Sequence, residues 1–225
     1  MIILIVAIFT VLTFTGFMFI EKKMLRNLVG GISLALLTLS VAGLAFHLSN
    51  YWGMKEVMTV TEKPIYTAGD TSAAYGMLID QELGTKSGNY IFVYRDEKDD
   101  KEPVEHFKPD EDHITDSVKL TADYELTSEG SAKVVTKTTR REFSSGLMKA
   151  LFGIGGEEGE LVKEESRVYV PEKTWLLLTS EQEKELQKQK QENPEMAMKM
   201  MELQKSNPEE AAAMQVEQIK KVLNS

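Results

Sequence analysis

The sequence predicts a membrane-anchored α+β protein. It begins with a transmembrane hairpin of two helices, continues as an extracytoplasmic antiparallel β-sandwich or open barrel of about seven strands, and closes with short C-terminal helices. Three observations carry this. Two long apolar runs fill residues 1–46 and are separated by a short basic loop. Period-two and β-branched segments punctuated by Gly and Pro fill the middle. Two Asn-Pro-Glu triplets then mark helix starts near the C-terminus. The domain division that follows is 1–47, 48–179 and 180–225.

From Met1 to Ile20 the apolar run is broken only by Thr10, Thr13, Thr15 and Gly16. At ~1.5 Å per residue it spans about 30 Å, the thickness of a hydrocarbon core. A second uncharged run, Leu28 to Phe46, covers nearly the same distance. Between them, Glu21 to Asn27 carries Lys22, Lys23 and Arg26, whereas Lys55 is the nearest basic residue after the second run. The positive-inside rule therefore places the loop in the cytoplasm and residues 48–225 outside, a two-pass protein of the cell membrane. A stripe of small residues, Gly31, Ala35, Thr38, Ala42 and Ala45, recurs at helical spacing in the second span. Such a stripe lets helix backbones approach closely, so it packs either on the first span or on another membrane protein. A competing reading treats Lys22 to Arg26 as the basic start of a signal peptide with Gly43-Leu44-Ala45 as its cleavage site, but it leaves the first apolar run unexplained.

Beyond Asn50, Tyr51 and Trp52 supply an interfacial aromatic anchor. Asp116 to Leu126 alternates cleanly, with Val118, Leu120, Ala122, Tyr124 and Leu126 on one side and polar residues on the other. That is the pattern of a half-buried antiparallel strand. Thr127 to Gly130 reads as a turn, and Ser131 to Phe143 as the hairpin partner. Similar strands are expected at Lys55–Thr61, Ala73–Ile79, Asn89–Tyr94, Leu161–Val170 and Thr174–Leu178. Ser144 to Ile154 interrupts them as a short apolar helix. Leu147, Leu151 and Phe152 in it either plug one end of the sheet core or dip into the outer membrane face.

Ser180-Glu181-Gln182-Glu183 reads as a capping box that starts a Gln/Lys/Glu-rich helix. Asn193-Pro194 and Asn207-Pro208 each place a cap before a Pro at the first helical position. Met196, Met200 and Leu203 line one face of the first helix so started, and Ala212, Val216, Ile219 and Leu223 one face of the second. These stripes are too narrow for isolated helices and need each other, the β-domain or a partner. The ordering entropy of some thirty residues, at about 1–2 kcal/mol each, outweighs what the two stripes gain from each other. The expectation is a mobile tail that orders against a partner.

The chain carries 26 Lys+Arg against 35 Asp+Glu, a net charge of −9. Residues 1–47 hold +2, which leaves −11 for residues 48–225 and argues against nucleic acid as a partner. Absence of cysteine excludes disulfides, thiol catalysis and Cys-ligated metals. The acidic stretch Asp96 to His113, with His106 and His113, lacks the rhythm of an EF-hand and reads as a solvated loop. The methionine cluster at 196–201 offers soft ligands, but Met198 points about 200° away from Met196 on a helix, so a flexible apolar contact surface fits better. Gly153 to Gly159 has no P-loop lysine, and Lys86-Ser87-Gly88 lacks a matching nucleophile motif. No catalytic, cofactor-binding or metal-ligating residue is predicted, and no cofactor.

The Lys22-Lys23-x-x-Arg26 loop, the Lys137 to Phe143 strand, Leu151-Phe152-Gly153 and the PEKTWLLLTSEQ junction at Pro171 to Gln182 together resemble a family of uncharacterised small two-span membrane proteins of lactic-acid bacteria and related Gram-positives. The resemblance implies no activity. Some members are encoded beside multidrug-type transporters, which implies an accessory role. The expected function is a membrane-anchored interaction module that supports an envelope or transporter complex, with the lipid bilayer and a membrane or envelope protein as partners. A ligand-sensing domain and an envelope hydrolase are the alternatives. A sensing domain needs an apolar pocket with convergent polar groups; a hydrolase needs a nucleophile or metal beside a base.

Overall fold

A computed structural model describes residues 1–110, 114–192 and 208–223. Its helices are α1 (Ile2–Phe19), α2 (Lys23–Asn50), α3 (Ile114–Ser117), α4 (Gly146–Phe152), α5 (Ser180–Glu192) and α6 (Pro208–Leu223). Its strands are β1 (Met54–Pro64), β2 (Gly76–Glu82), β3 (Tyr90–Tyr94), β4 (Val104–His106), β5 (Leu120–Thr127), β6 (Lys133–Phe143), β7 (Leu161–Pro171) and β8 (Trp175–Thr179). They form two four-stranded sheets, ordered β1-β6-β7-β5 and β4-β3-β2-β8. All seven expected strands are present, and β4 is an eighth. The chain divides into two compact units, one of residues 1–58 and 139–162, the other of residues 59–138 and 163–225.

In the first unit, α1 and α2 are each long and apolar enough to cross a membrane. The basic segment is shorter as a loop than expected, because Lys23 to Asn27 already form the first turns of α2. The helix contact falls on Gly16 and Gly30: a Cβ built on Gly16 would lie 3.0 Å from the Cα and N of Gly30. The packed face of α2 is Gly30, Ser33, Leu37, Ser40, Leu44 and His47, all buried or half-buried at alternating spacings of three and four. The small-residue stripe sits elsewhere. Gly31 faces open space, and Ala35, Thr38, Ala42 and Ala45 are exposed, about 140° round the helix from the packed face. The expectation that this stripe seats on α1 is therefore corrected. We expect Gly16→Leu to destabilise the hairpin by about 1–3 kcal/mol through overpacking. SDS titration of the helical circular-dichroism signal measures this, with Gly31→Leu as the control that shows no change.

The second unit is layered. Leu78, Phe92, Tyr94, Ala122, Val134, Val168 and Val170 from the two sheets form one core. On the other side of the second sheet, Tyr75, Met77, Leu176 and Leu178 pack against Leu186 of α5 and Ala212, Val216 and Ile219 of α6. The strand pairing is mixed rather than purely antiparallel. β2 and β8 run parallel from Gly76↔Trp175 to Asp80↔Thr179, and β5 runs parallel to β7 from Leu120↔Glu164 to Thr127↔Pro171. The expected β5–β6 hairpin is thus replaced: β7 stands between them, tied to β6 by Thr136–Ser166 and Thr138–Glu164 hydrogen bonds of 2.9 and 2.8 Å. The alternation in β5 also overstated its burial. Ala122 alone is fully buried, while Val118, just before the strand, is exposed and Leu126 is exposed too. The edge amide of Ala122 is covered by the Asn89 side chain at 2.7 Å, which shields an otherwise open strand edge.

The start of α5 shows a capping box one residue earlier than expected. The Gln182 amide donates to Thr179 Oγ1 at 3.2 Å, and the Thr179 amide donates to Gln182 Oε1 at 3.0 Å. β8 carries the chain in extended form up to Thr179, so that residue, not Ser180, meets the cap geometry. α6 begins at Pro208, as the missing amide of proline favours.

Candidate functional site

The first unit carries a collar at one end of the helix pair. Ile2 clusters with Leu44, and α2 runs on past that level to Asn50, where α4 takes over the place of α1. The His47 ring lies between Phe152 (centroids 4.5 Å apart, nearly parallel) and Phe143 (5.9 Å). Its Nδ1 donates to the Trp52 carbonyl at 2.8 Å, which satisfies a backbone acceptor beyond the helix end. Trp52 meets Phe152 edge-on. Tyr51 ends α2 in the left-handed region (φ +51°), and the Arg141 guanidinium lies 3.6 Å above its ring while pairing with Glu160 at 3.1 Å. The α4 helix is capped by Ser145, whose Oγ accepts from the Met148 amide.

This geometry sorts the residues expected to make contacts. Phe152 is buried and Leu151 half-buried in the collar, where they share a cluster with Phe143 and Met54 from the ends of β6 and β1 as well as packing on His47 and Trp52. Leu147 points outward at 67% exposure, and Ile154, just past the end of α4, is exposed too. Val216 and Ile219 are covered by the second sheet and are not free surfaces. Met196, Met200 and Leu203 lie outside the described residues, as does His113.

The second unit has two notable concavities. A cleft of about 420 Å³ is bordered by Tyr66, Tyr75, Trp175, Lys98 and Asp99. Buried Arg95 shapes its wall by donating to the carbonyls of Thr67, Gly69 and Asp100. A second cavity of about 270 Å³ is lined by Thr61, Lys63, Tyr94, Asp96, His106, Phe107, Val134 and Thr136. There the His106 ring stacks on Tyr94 at 3.7 Å and 7°, and its buried Nε2 has no hydrogen-bond partner. Asp96 Oδ2 is 3.7 Å from it. Burial holds His106 below its ordinary 6.5, with Lys63 adding to this and the Asp96 carboxylate and the Tyr94 backbone opposing it. Burial also pushes the Tyr94 hydroxyl up. Among the described residues no nucleophile is hydrogen-bonded to a histidine, and no three potential metal ligands cluster.

A histidine depressed in the folded state makes stability depend on pH in a defined direction. Below pH 6.5 the unfolded chain takes up a proton that folded His106 resists, so stability falls as pH drops from 6.5 toward the folded value and is fully present above 6.5. Urea midpoints of the wild type and His106→Asn measured across that range should show a steeper decline in the wild type.

A family model described as a domain of unknown function, DUF4811, matches residues 22–186. The chain belongs to the DUF4811 family. The matched span runs from the basic turn through α2, both sheets and the first half of α5. It therefore includes the His47 collar, Arg141, and both cavities of the DUF4811 domain, whereas α1 and α6 lie outside it. No curated protein and no solved structure shows significant similarity to the chain. In the sequence His106 reads as part of a solvated acidic loop; the contrary signal is the short Val104 to His106 segment between Pro103 and Pro109, which forms β4 and turns His106 inward.

Proposed function

We propose that this DUF4811 chain is a two-span, membrane-anchored accessory module whose α1–α2 hairpin lies in the bilayer, with residues 48–225 on the extracytoplasmic side. The observation that carries the reading is the exposure of the hairpin: only 11% of each apolar window is buried, whereas a core helix of a soluble domain hides most of its side chains. The charge pattern supports the orientation. Lys22, Lys23 and Arg26 surround the turn, and Tyr51 and Trp52 follow the other end of α2 as interfacial anchors. The collar then holds the chain's exit from α2 in a fixed geometry, and Leu147 and Ile154 project from it as apolar contacts for the outer headgroup region.

The partner is another membrane-spanning protein of the cell envelope. Support comes from the small-residue stripe at Gly31, Ala35, Thr38 and Ala42, which α1 leaves open and along which a further helix can approach closely. Photo-crosslinking residues placed at Ala35, Ala42 and Leu147 in the full chain in membranes test this. Discrete protein adducts from Ala35 and Ala42, and none from a probe at Leu39, support a docking face. Lipid adducts alone from all positions contradict it.

A further inference from the structure

We propose that the cavity beside Lys63, Asp96 and His106 binds a small zwitterion of the amino-acid type with an apolar side chain. All of this cavity's lining lies in the second unit, so the site does not depend on the membrane hairpin.

His106 Nε2 and Asp96 Oδ2 face each other at 3.7 Å, too far apart for a hydrogen bond. Nε2 is buried and unpartnered. An orphaned buried polar atom is uncommon and calls for a ligand, an ion or a water to satisfy it. The neutral ring, the form burial favours, offers its Nε2 lone pair when the proton sits on Nδ1. An ammonium group has three N–H donors and can serve both acceptors at once across a gap of this width. Lys63 lines the same cavity and has no carboxylate partner among the described residues, so it is available to a carboxylate. The opposite charges of the site thus match a molecule that carries both.

The rest of the lining sets Val134, Phe107 and the Tyr94 ring beside Thr61 and Thr136, and about 270 Å³ accommodates a molecule of amino-acid size. The frame is held rigidly. Tyr94 is buried beneath the His106 ring, and Phe107 occupies the left-handed region at φ +63°, with its ring edge-on to Phe92 at 6.3 Å. A bulky aromatic residue rarely adopts that backbone, and such strain is found where a site is pre-organised. A divalent cation fits less well, since Lys63 repels it and, among the described residues, His106 and Asp96 do not form part of any cluster of three His or carboxylate ligands. A single water at the His106–Asp96 gap would leave Lys63 and the Val134 and Phe107 wall unused.

Isothermal titration of the full chain in detergent micelles provides the test, with L-leucine, L-leucinamide and 4-methylpentanoate as probes. Leucine is expected to bind one to one, and more tightly than either analogue. Asp96→Asn and Lys63→Ala, both at exposed side chains, should each weaken leucine about tenfold or more. Lys63→Ala should not weaken leucinamide, which has no carboxylate and is freed of a like charge, and Asp96→Asn should likewise not weaken 4-methylpentanoate, which has no ammonium. Equal affinity for all three probes, no saturable heat with leucine at millimolar concentration, or leucine binding that survives both substitutions overturns the proposal.

Discussion

Replacing Phe92 by alanine is expected to destabilise the second unit by about 3–5 kcal/mol. The side chain is fully buried at the centre of the core between the sheets. Its ring contacts Tyr90 at 5.8 Å, Phe107 at 6.3 Å and Tyr124 at 6.3 Å. Truncation removes these aromatic pairs, each contributing about 0.5–1.5 kcal/mol beyond burial, and leaves a void that surrounding strands only partly close. Because Phe107 leans on Phe92, the strained backbone at Phe107 loses its support, so the His106 cavity should loosen as well. Amide hydrogen exchange across β2 and β3 reads the loss directly. Protection unchanged to within 1 kcal/mol would mean that Phe92 is not the centre of this core.

Ile219→Ala is expected to cost about 2–5 kcal/mol, an effect as large as that of a central core residue. Ile219 is fully buried, and with Ala212 and Val216 it covers Tyr75, Met77, Leu176 and Leu178 on the outer side of the second sheet. This differs from a tail that orders only on a partner. A loose tail follows when the helical stripes have only each other to cover, and the second sheet is the surface that α6 uses instead. Hydrogen exchange checks the difference: amides of residues 212–222 should be protected as strongly as those of β8 in the wild type, and Ile219→Ala should release both sets together. Release of α6 alone, with β8 unaffected, would show a helix that merely rests on the sheet.

Much of the fold was legible in periodicity. The seven expected strands lie within a few residues of those observed, since β-branched runs bounded by Gly and Pro have few other solutions. Partners were less legible. Thr127 to Gly130 reads as a hairpin turn, yet β5 pairs with β7 in parallel, and the Arg167 guanidinium grips Asp123 at 2.8 and 2.6 Å across that pair. Such long-range pairing leaves no mark in a local pattern. One sign was present. Trp175 to Leu178 is an unbroken apolar run without alternation, as expected of a strand covered on both faces, and it pointed to a layer outside the second sheet. The small-residue stripe misled for a related reason: heptad spacing on α2 is shared by Gly30, Ser33, Leu37, Ser40, Leu44 and His47, and only the Gly16–Gly30 approach selects between the two faces. The His106 cavity was hidden because stacking, strain and an unpartnered ring nitrogen are properties of three-dimensional neighbours.

Proteolysis of oriented membrane vesicles reads out which side of the bilayer each part of the chain occupies. In right-side-out vesicles, protease should remove the β-sheet region and leave a fragment near the size of residues 1–50, while an epitope inserted between Glu21 and Lys22 stays protected. In inside-out vesicles the epitope should be cut and the β-sheet region spared. Protection of the β-sheet region in right-side-out vesicles, or its release from the membrane by alkaline carbonate with the chain intact, would rule out a hairpin that anchors residues 48–225 on the outer side.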